Sequence, residues 1–273
     1  MANHQFKPAV NVEKNSAPQR VFITGASSGI GLALARHYAK AGAQLGLVAR
    51  RAELLIELAG ELGANCEVYT VDVRDAESLA KAAQQFIQQF GVPDIVIANA
   101  GVSRGTLTEH QQDIPAFKAV FEINVLGMVH TFHPFIAAMR DAGKGQLVGI
   151  ASVAGIRGLP GAGAYSSSKA AVISYLESLR VEMAPHGIAV TTIAPGYIRT
   201  PMTDINAYNM PFLMDVDIAA SKFALAIQLK RRFVVIPWQM GMMARLMRFI
   251  PPIVWDWAMK SAPHKERTNW DWL

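Results

Sequence analysis

From Arg20 onward the chain alternates short apolar runs with longer amphipathic stretches. Runs at 20–24, 44–49, 67–71, 94–98, 145–151, 188–194 and 232–236 predict strands. The segments between them carry helical spacing, as in Ile30, Leu34 and Tyr38. Strand and helix in alternation imply a parallel sheet with helices on both faces. Right-handed crossovers make that sheet doubly wound, with ligands beyond the carboxyl ends of the strands. The fold class is α/β, one such sheet of about seven strands over 20–236. Residues 1–19 are polar and irregular, without the apolar stretch of a signal peptide, and predict a loose tail. Residues 237–273 form a C-terminal extension of different character.

Composition narrows the picture. Apolar residues make up 51% of the 273, enough for a large core. Cys66 is the single cysteine, so no intramolecular disulfide can form and nothing indicates an oxidising compartment. It opens an apolar strand, as suits a buried, inert thiol. No Cys/His cluster has metal-ligand spacing, and His130 and His133 on a largely apolar helix read as structural. No metal is expected.

The chemistry gathers at the predicted strand ends. Tyr165 and Lys169 stand one turn apart in Tyr165-Ser166-Ser167-Ser168-Lys169 and so share a helix face. A free tyrosine titrates near ~10, and a neighbouring cation favours the phenolate and lowers that value. Ser152 offers a hydroxyl that can hold a carbonyl oxygen. Near the start, Val21-Phe22-Ile23 leads into Thr24-Gly25-Ala26-Ser27-Ser28-Gly29-Ile30-Gly31 and then into a helical pattern. A strand, a glycine turn and a helix N-terminus together make a phosphate site. The spacing is G-x-x-x-G-x-G, which differs from the commoner G-x-G-x-x-G.

In this order the motifs resemble the classical short-chain dehydrogenase/reductase family, over Arg20 to Ile236. The resemblance implies one Rossmann-type domain. It implies that Gly25, Ser27, Ser28, Gly29, Ile30 and Gly31 hold a dinucleotide cofactor. Asp72, followed by Val73, matches the adenine-ring contact. Asn99, Ala100 and Gly101 match the N-N-A-G segment, with Ala98 in place of its first asparagine. Pro195, Gly196, Ile198 and Thr200 fall in the P-G-x-x-x-T nicotinamide segment. Asn124, Ser152, Tyr165 and Lys169 match the catalytic tetrad. By that resemblance Tyr165 exchanges a proton with the substrate oxygen while hydride passes between nicotinamide C4 and carbon. Ser152 holds the oxygen, and such a placed donor is worth roughly 3–4 kcal/mol. Lys169 acidifies Tyr165 and binds the nicotinamide ribose, and Asn124 holds a water that links Lys169 to solvent.

Cofactor choice is read at the second strand. An acid there marks NAD, whereas an arginine accommodates the 2′-phosphate of NADP. Leu45-Gly46-Leu47-Val48-Ala49 ends without an acid, and Arg50 and Arg51 follow at once. NADP(H) is therefore favoured over NAD(H), with Arg50 at the phosphate.

The extension changes the picture again. All five tryptophans lie beyond Ile236. From Lys222 to Leu273 nine Lys/Arg face three Asp/Glu, a net of +6 against +5 for the whole chain. So localised an excess, with no nucleic-acid motif beside it, argues against nucleic-acid binding. Trp238 to Ile250 predicts a helix, with Gly241, Ala244, Arg245 and Arg248 on one narrow side and apolar residues around the rest. Pro251-Pro252 stops it, and Ile253 to Met259 resumes. The run is too charged and interrupted to span a bilayer. Three roles stay open: a lid docked on its own domain, a membrane-surface contact through 238–260, and a contact with another subunit. Between Tyr197 and Asp217, Met202, Tyr208, Met210, Phe212, Leu213 and Met214 fall in the family's substrate-covering loop. Methionine-rich surfaces adapt to irregular apolar shapes, which suits a hydrophobic carbonyl or alcohol such as a lipid-like ketone or a steroid. The expectation is a cytoplasmic oxidoreductase, a homo-dimer or tetramer, peripheral at a membrane surface if the extension binds one. The competing class is a catalytically idle NADP-binding sensor or scaffold, against which the intact tetrad argues.

Overall fold

The computed structural model describes residues 17–206, 208–262 and 267. The expected loose tail falls largely outside the described residues, as do Trp270 and Trp272. Seven strands form one sheet: β1 (Arg20–Thr24), β2 (Gln44–Ala49), β3 (Cys66–Thr70), β4 (Ile95–Ala98), β5 (Gly145–Ile150), β6 (Ile188–Pro195) and β7 (Phe233–Ile236). Their order is β3-β2-β1-β4-β5-β6-β7, with each neighbouring pair parallel. Each strand begins and ends within one residue of its predicted bounds.

Helices cover both faces. One core unites the sheet with α1 (Gly29–Lys40), α2 (Ala52–Leu62) and α8 (Val216–Gln228), through residues such as Leu34, Leu55 and Phe223. The other unites it with α3 (Ala76–Phe90), α5 (Gly127–Asp141) and α6 (Gly163–Met183). Its centre is aromatic: Phe22 meets Phe86 edge-on at 5.5 Å and Phe135 at 4.8 Å between ring centroids. Gly46 in β2 leaves room for this cluster, since a Cβ there would lie 2.5 Å from Phe86 and 2.6 Å from Phe22. In α3, Leu79, Ala82, Ala83 and Phe86 are buried at helical spacing, and the Asp75 carboxylate accepts from the Ser78 N–H to cap the helix.

Between α4 (Ile114–Phe121) and α5 the helix continues through a π turn over Glu122–Leu126. The wider turn carries one extra residue, which puts the two helices out of phase. Asn124 lies inside it, wholly buried.

The extension forms α9 (Trp238–Phe249) and α10 (Pro252–Met259), with the break at Pro251-Pro252. The side expected to be narrow and polar is divided. Ala244 is buried and a Cβ at Gly241 would come within 3.2 Å of Val235, so the small residues face β7. Arg245 and Arg248 are exposed. Small side chains let the helix backbone approach the strand closely; Met240 is buried beside them, and most of the other large apolar side chains are left outside. Trp238 is 65% exposed, Leu246 69%, Phe249 and Ile253 83%, and Trp257 80%. Further along, Arg267 closes a bidentate ion pair with the buried Asp113, its Nε at 2.8 Å and Nη2 at 3.0 Å. Asp113 also accepts from the Leu107 N–H, so one carboxylate holds both a loop and the extension.

Candidate active site

β1 ends at Thr24, and the chain turns through Gly25 (φ +70°) toward α1. A Cβ on Gly31 would lie 2.2 Å from the Gly25 carbonyl oxygen and 2.6 Å from Asn99 Nδ2. Only glycine permits so tight a closure. Asn99, just past β4, braces the turn from beneath: its Nδ2 donates to the carbonyls of Thr24 (3.0 Å) and Gly25 (3.1 Å). Thr200 sits above the turn, 3.2 Å from where a Gly29 Cβ would be. The Ser28 side chain makes no capping bond and no acid occupies the first turn of α1. The positive end of that helix therefore stays uncompensated by its own residues.

One cleft of about 330 Å³ runs along the carboxyl ends of the strands. Ser27, Ser28, Gly29 and Ile30 line it with Gly25; so do Arg50, Asp72 and Val73, then Asn99, Ala100 and Gly101. Ser152, Tyr165, Lys169, Pro195, Gly196, Ile198 and Thr200 line the rest. Gly31 and Asn124 are not in the lining; they lie beneath it. Met202 and Thr203, from α7 (Pro201–Asp204), close one side.

The two arginines after β2 behave differently. Arg51, which also lines the cleft, donates through Nη2 to the hydroxyls of Ser27 and Ser28, each at 2.9 Å. Arg50 lies 3.7 Å from Asp72. Sequence reasoning named Arg50; the guanidinium that reaches the glycine turn is that of Arg51. Asp72 is held on both oxygens by Arg74. Burial pushes its carboxyl up, and the Arg74 bonds outweigh burial, so the net shift is downward.

Tyr165 and Lys169 project from the first turns of α6 into the same cleft, with Nζ 5.9 Å from the phenol ring centroid. Lys169 is 4% exposed and donates to the Ile150 carbonyl at 2.8 Å. Burial lowers its pKa to about 8. Burial also pushes the Tyr165 phenol up, while its hydrogen bond with Ser152 pulls it down, and burial wins. Burial thus opposes the acidification of the phenol expected from a neighbouring cation. The cation is itself desolvated, and its charge is partly spent on a backbone carbonyl.

Asn124 Nδ2 donates to the Val102 carbonyl and to Ser168 Oγ, both at 3.0 Å, and Oδ1 accepts from the Val102 N–H at 2.8 Å. Both of its donors are used, and one lone pair on Oδ1 remains. Ser168 in turn donates to the Tyr165 carbonyl at 2.8 Å, which links Asn124 to the helix bearing the tyrosine. Sequence reasoning missed Ser168; its place three residues after Tyr165, on the same helix face, was the available signal. Elsewhere, burial with help from Glu67 pushes the Cys66 thiol up to about 11, which suits an unreactive thiol. His130 Nδ1 lies 3.0 Å from the Val73 carbonyl, a structural bond.

Comparison with known proteins accords with this geometry. The family model described as short chain dehydrogenase matches residues 19–209. An uncharacterized oxidoreductase of Myxococcus xanthus is 34% identical over 241 residues, covering 87% of this chain and 95% of that one. An 11-beta-hydroxysteroid dehydrogenase-like 3 protein of Arabidopsis thaliana is 38% identical over 221 residues, covering 78% of this chain and 70% of that one. Among solved structures, an alcohol dehydrogenase from the archaeon Thermococcus sibiricus, complexed with 5-hydroxy-NADP, aligns with a TM-score of 0.73 at 27% identity. That alignment covers 81% of this chain and 96% of the other. The chain belongs to the short-chain dehydrogenase/reductase family, and it is an oxidoreductase of that family.

The lysine carries a testable cost. Its folded pKa of about 8 lies below the 10.5 usual for a lysine, so the unfolded chain holds more protons between those values. The penalty is full below pH 8 and fades as pH rises through that window. Lys169→Met should therefore stabilise the cofactor-free protein at pH 7 by on the order of 2 kcal/mol, after allowing for the lost carbonyl bond. In urea titrations the advantage should shrink from pH 8 toward 10. A variant less stable than wild type at pH 7, or an advantage that does not change with pH, contradicts this account.

Proposed function

We propose that the protein is an NADP(H)-dependent oxidoreductase that moves a hydride between nicotinamide and the carbonyl or alcohol carbon of a hydrophobic substrate. The observation that carries this reading is the convergence of Ser152, Tyr165 and the buried Lys169 on the cleft that also holds the glycine turn. The cradle fits a dinucleotide: a Cβ would fill the closure at Gly31, and the N-terminus of α1 offers backbone donors to phosphate. Gly25, Ser27, Ser28, Gly29 and Ile30 would hold the phosphates, Asp72 and Val73 the adenine end, and Pro195 to Thr200 the nicotinamide end.

When bound, the nicotinamide supplies or accepts the hydride. In reduction the substrate oxygen gains charge, and Tyr165 gives it a proton; in oxidation the phenol takes that proton back. Ser152 Oγ accepts from the Ala154 N–H, so its position is fixed and its own hydrogen can go to the substrate oxygen. Protonated Lys169 opposes the burial that raises the phenol. Asn124 offers its remaining lone pair to a water near Lys169. Met202, with the exposed Phe212 and Leu213 of the same segment, favours an apolar substrate. The steroid-dehydrogenase-like relative supports a lipid-like or steroid ketone within that class. The family resemblance extends the reading to a homo-dimer or tetramer.

Tyr165→Phe should lower kcat at least ~100-fold while NADPH still binds, because the ring remains and only the proton donor is lost. Retention of most of the wild-type rate overturns the assigned mechanism. For the cofactor, Arg51 with the Ser27 and Ser28 hydroxyls suits the 2′-phosphate. Fluorescence titration of Arg51→Asp should show NADPH binding weakened about tenfold or more and NADH binding little changed. Arg50→Asp should have the smaller effect. Equal weakening of both cofactors contradicts the assignment.

The extension is read as a peripheral contact with an anionic lipid surface. Among the described residues no helix is long and apolar enough to cross a membrane. Trp238, Leu246, Phe249, Ile253 and Trp257 instead expose an apolar surface beside the exposed Arg245, Arg248 and Lys260. The protein should sediment with vesicles of phosphatidylcholine and phosphatidylglycerol, and salt or Arg245→Glu with Arg248→Glu should release it. No sedimentation above background at low salt removes this part of the reading.

A further inference from the structure

Arg157 lies five residues past Ser152, in the loop 153–162 that leads into α6 and Tyr165. Its Nη1 donates to the carbonyl oxygens of Met247 at 3.1 Å and Ile250 at 3.0 Å. These belong to the last turn of α9 and the residue that follows it, where helix carbonyls lack partners within the helix. A cation there also meets the negative end of the helix dipole. The same guanidinium lies 4.8 Å from the centroid of the Trp255 ring on α10. One side chain thus caps one helix and stacks on the next, and so holds the Pro251-Pro252 corner against the catalytic loop.

The loop is fastened on its other side as well. The Thr106 N–H donates to the Gly161 carbonyl at 2.9 Å, and Thr106 Oγ1 accepts from the Ala164 N–H at 3.3 Å. At the far end of α9, Met240 lies against Gly196, where an added Cβ would come within 2.7 Å of Met240 Cγ. The extension therefore touches two segments whose neighbours line the cleft. Between the loop and α10 a second, open cavity is lined by Gly158, Pro160, Trp255, Asp256, Met259 and Lys260. Trp255 both stacks on Arg157 and lines that cavity.

We infer that Arg157 is a positioning residue that makes α9 and α10 one wall of the substrate site, and that this wall selects bulky apolar substrates over small ones. The inference rests on the oxidoreductase reading above. Arg157 is not in the lining of the main cleft; it holds α9 and α10 against the loop, while Thr106 fastens the end of that loop and the start of the helix bearing Tyr165 independently of it. Gly196 lines the main cleft and Met240 packs against it, so a small ketone held by Ser152 and Tyr165 would stop short of the wall and a bulky one would reach it.

The test compares wild type, Arg157→Ala and Arg157→Lys on a small ketone, cyclohexanone, and a four-ring 3-ketosteroid, with NADPH. Arg157→Ala should raise KM for the ketosteroid about tenfold, with kcat/KM for cyclohexanone within about twofold of wild type and NADPH affinity unchanged. Lysine should rescue in part, because it reaches the carbonyls but lacks a planar face for Trp255. Hydrogen exchange on the same proteins needs no turnover. In Arg157→Ala, amides of 153–162 and of 238–259 should exchange faster together. Equal losses on both ketones, or faster exchange confined to the extension, overturn the inference. If wild type reduces neither ketone, the proposed NADPH-dependent reduction of hydrophobic ketones is what fails, and the exchange experiment still decides the coupling. Should Arg157→Ala fail to fold, Trp255→Leu removes the stacking partner alone and is expected to give the same pattern in weaker form.

Discussion

Everything at the carboxyl edge of the sheet depends on two backbones meeting with no side chain between them. The turn after β1 closes on itself at Gly25 and Gly31, and Asn99 at the end of β4 bonds to its carbonyls. β1 and β4 are neighbours in the sheet, and α1, which follows β1, and α5, which lies beyond β4, join opposite cores. A crevice opens where the chain divides in this way. The rest of the cleft is indexed to that point by strand register. Ala98 pairs with Gly149, which puts the Ile150 carbonyl where Lys169 can reach it. Gly149 also lets α6 close in, since a Cβ there would lie 2.4 Å from Leu176. The helix bearing Tyr165 and Lys169 is thus positioned by packing behind it as much as by polar bonds in front.

The site is assembled against the ordinary preferences of its side chains. A buried lysine favours losing its proton and a buried tyrosine favours keeping its own. Those preferences push Lys169 and Tyr165 away from the charged states that the proposed proton transfer would draw on. The surrounding polar network is correspondingly complete. Asn124, Ser168 and Val102 satisfy one another, and Ser152 reaches Tyr165. Rigidity of this kind keeps a desolvated cation from relaxing into water, so that an anionic ligand entering the cleft meets it in place.

Much of this was legible in the sequence because it is local or periodic. Strands buried on both faces announce themselves as apolar runs, and glycine turns and Tyr-x-x-x-Lys have fixed spacing. The parts that escaped are those in which distant residues meet. Which of Arg50 and Arg51 turns toward Ser27 is decided by the direction in which the chain leaves β2, and sequence alone does not carry that. Arg157 meets Met247 of α9 ninety residues later, and Asp113 meets Arg267 after 154, with no pattern linking either pair. The extension misleads for a different reason. Its small residues and Met240 face the protein, and most of its other large apolar side chains face outward, the reverse of what an amphipathic helix in a soluble domain suggests.

The π turn at Glu122–Leu126 has a consequence for how this chain can vary. From Ile114 to Asp141 the backbone is one rod whose halves are offset by a single inserted residue. In a straight α-helix one inserted residue would turn α5 by roughly 100° relative to α4, and Phe132, Phe135 and Met139 would swing off the sheet together. The wide turn absorbs that residue, so both halves keep their buried faces on the core. What the insertion changes is the turn itself, where Asn124 is seated against Val102. One residue can therefore be lost from the turn with α5 still on the sheet, at the expense of the Asn124 seat, whereas a residue lost from either α-helical half would put its buried face out of register.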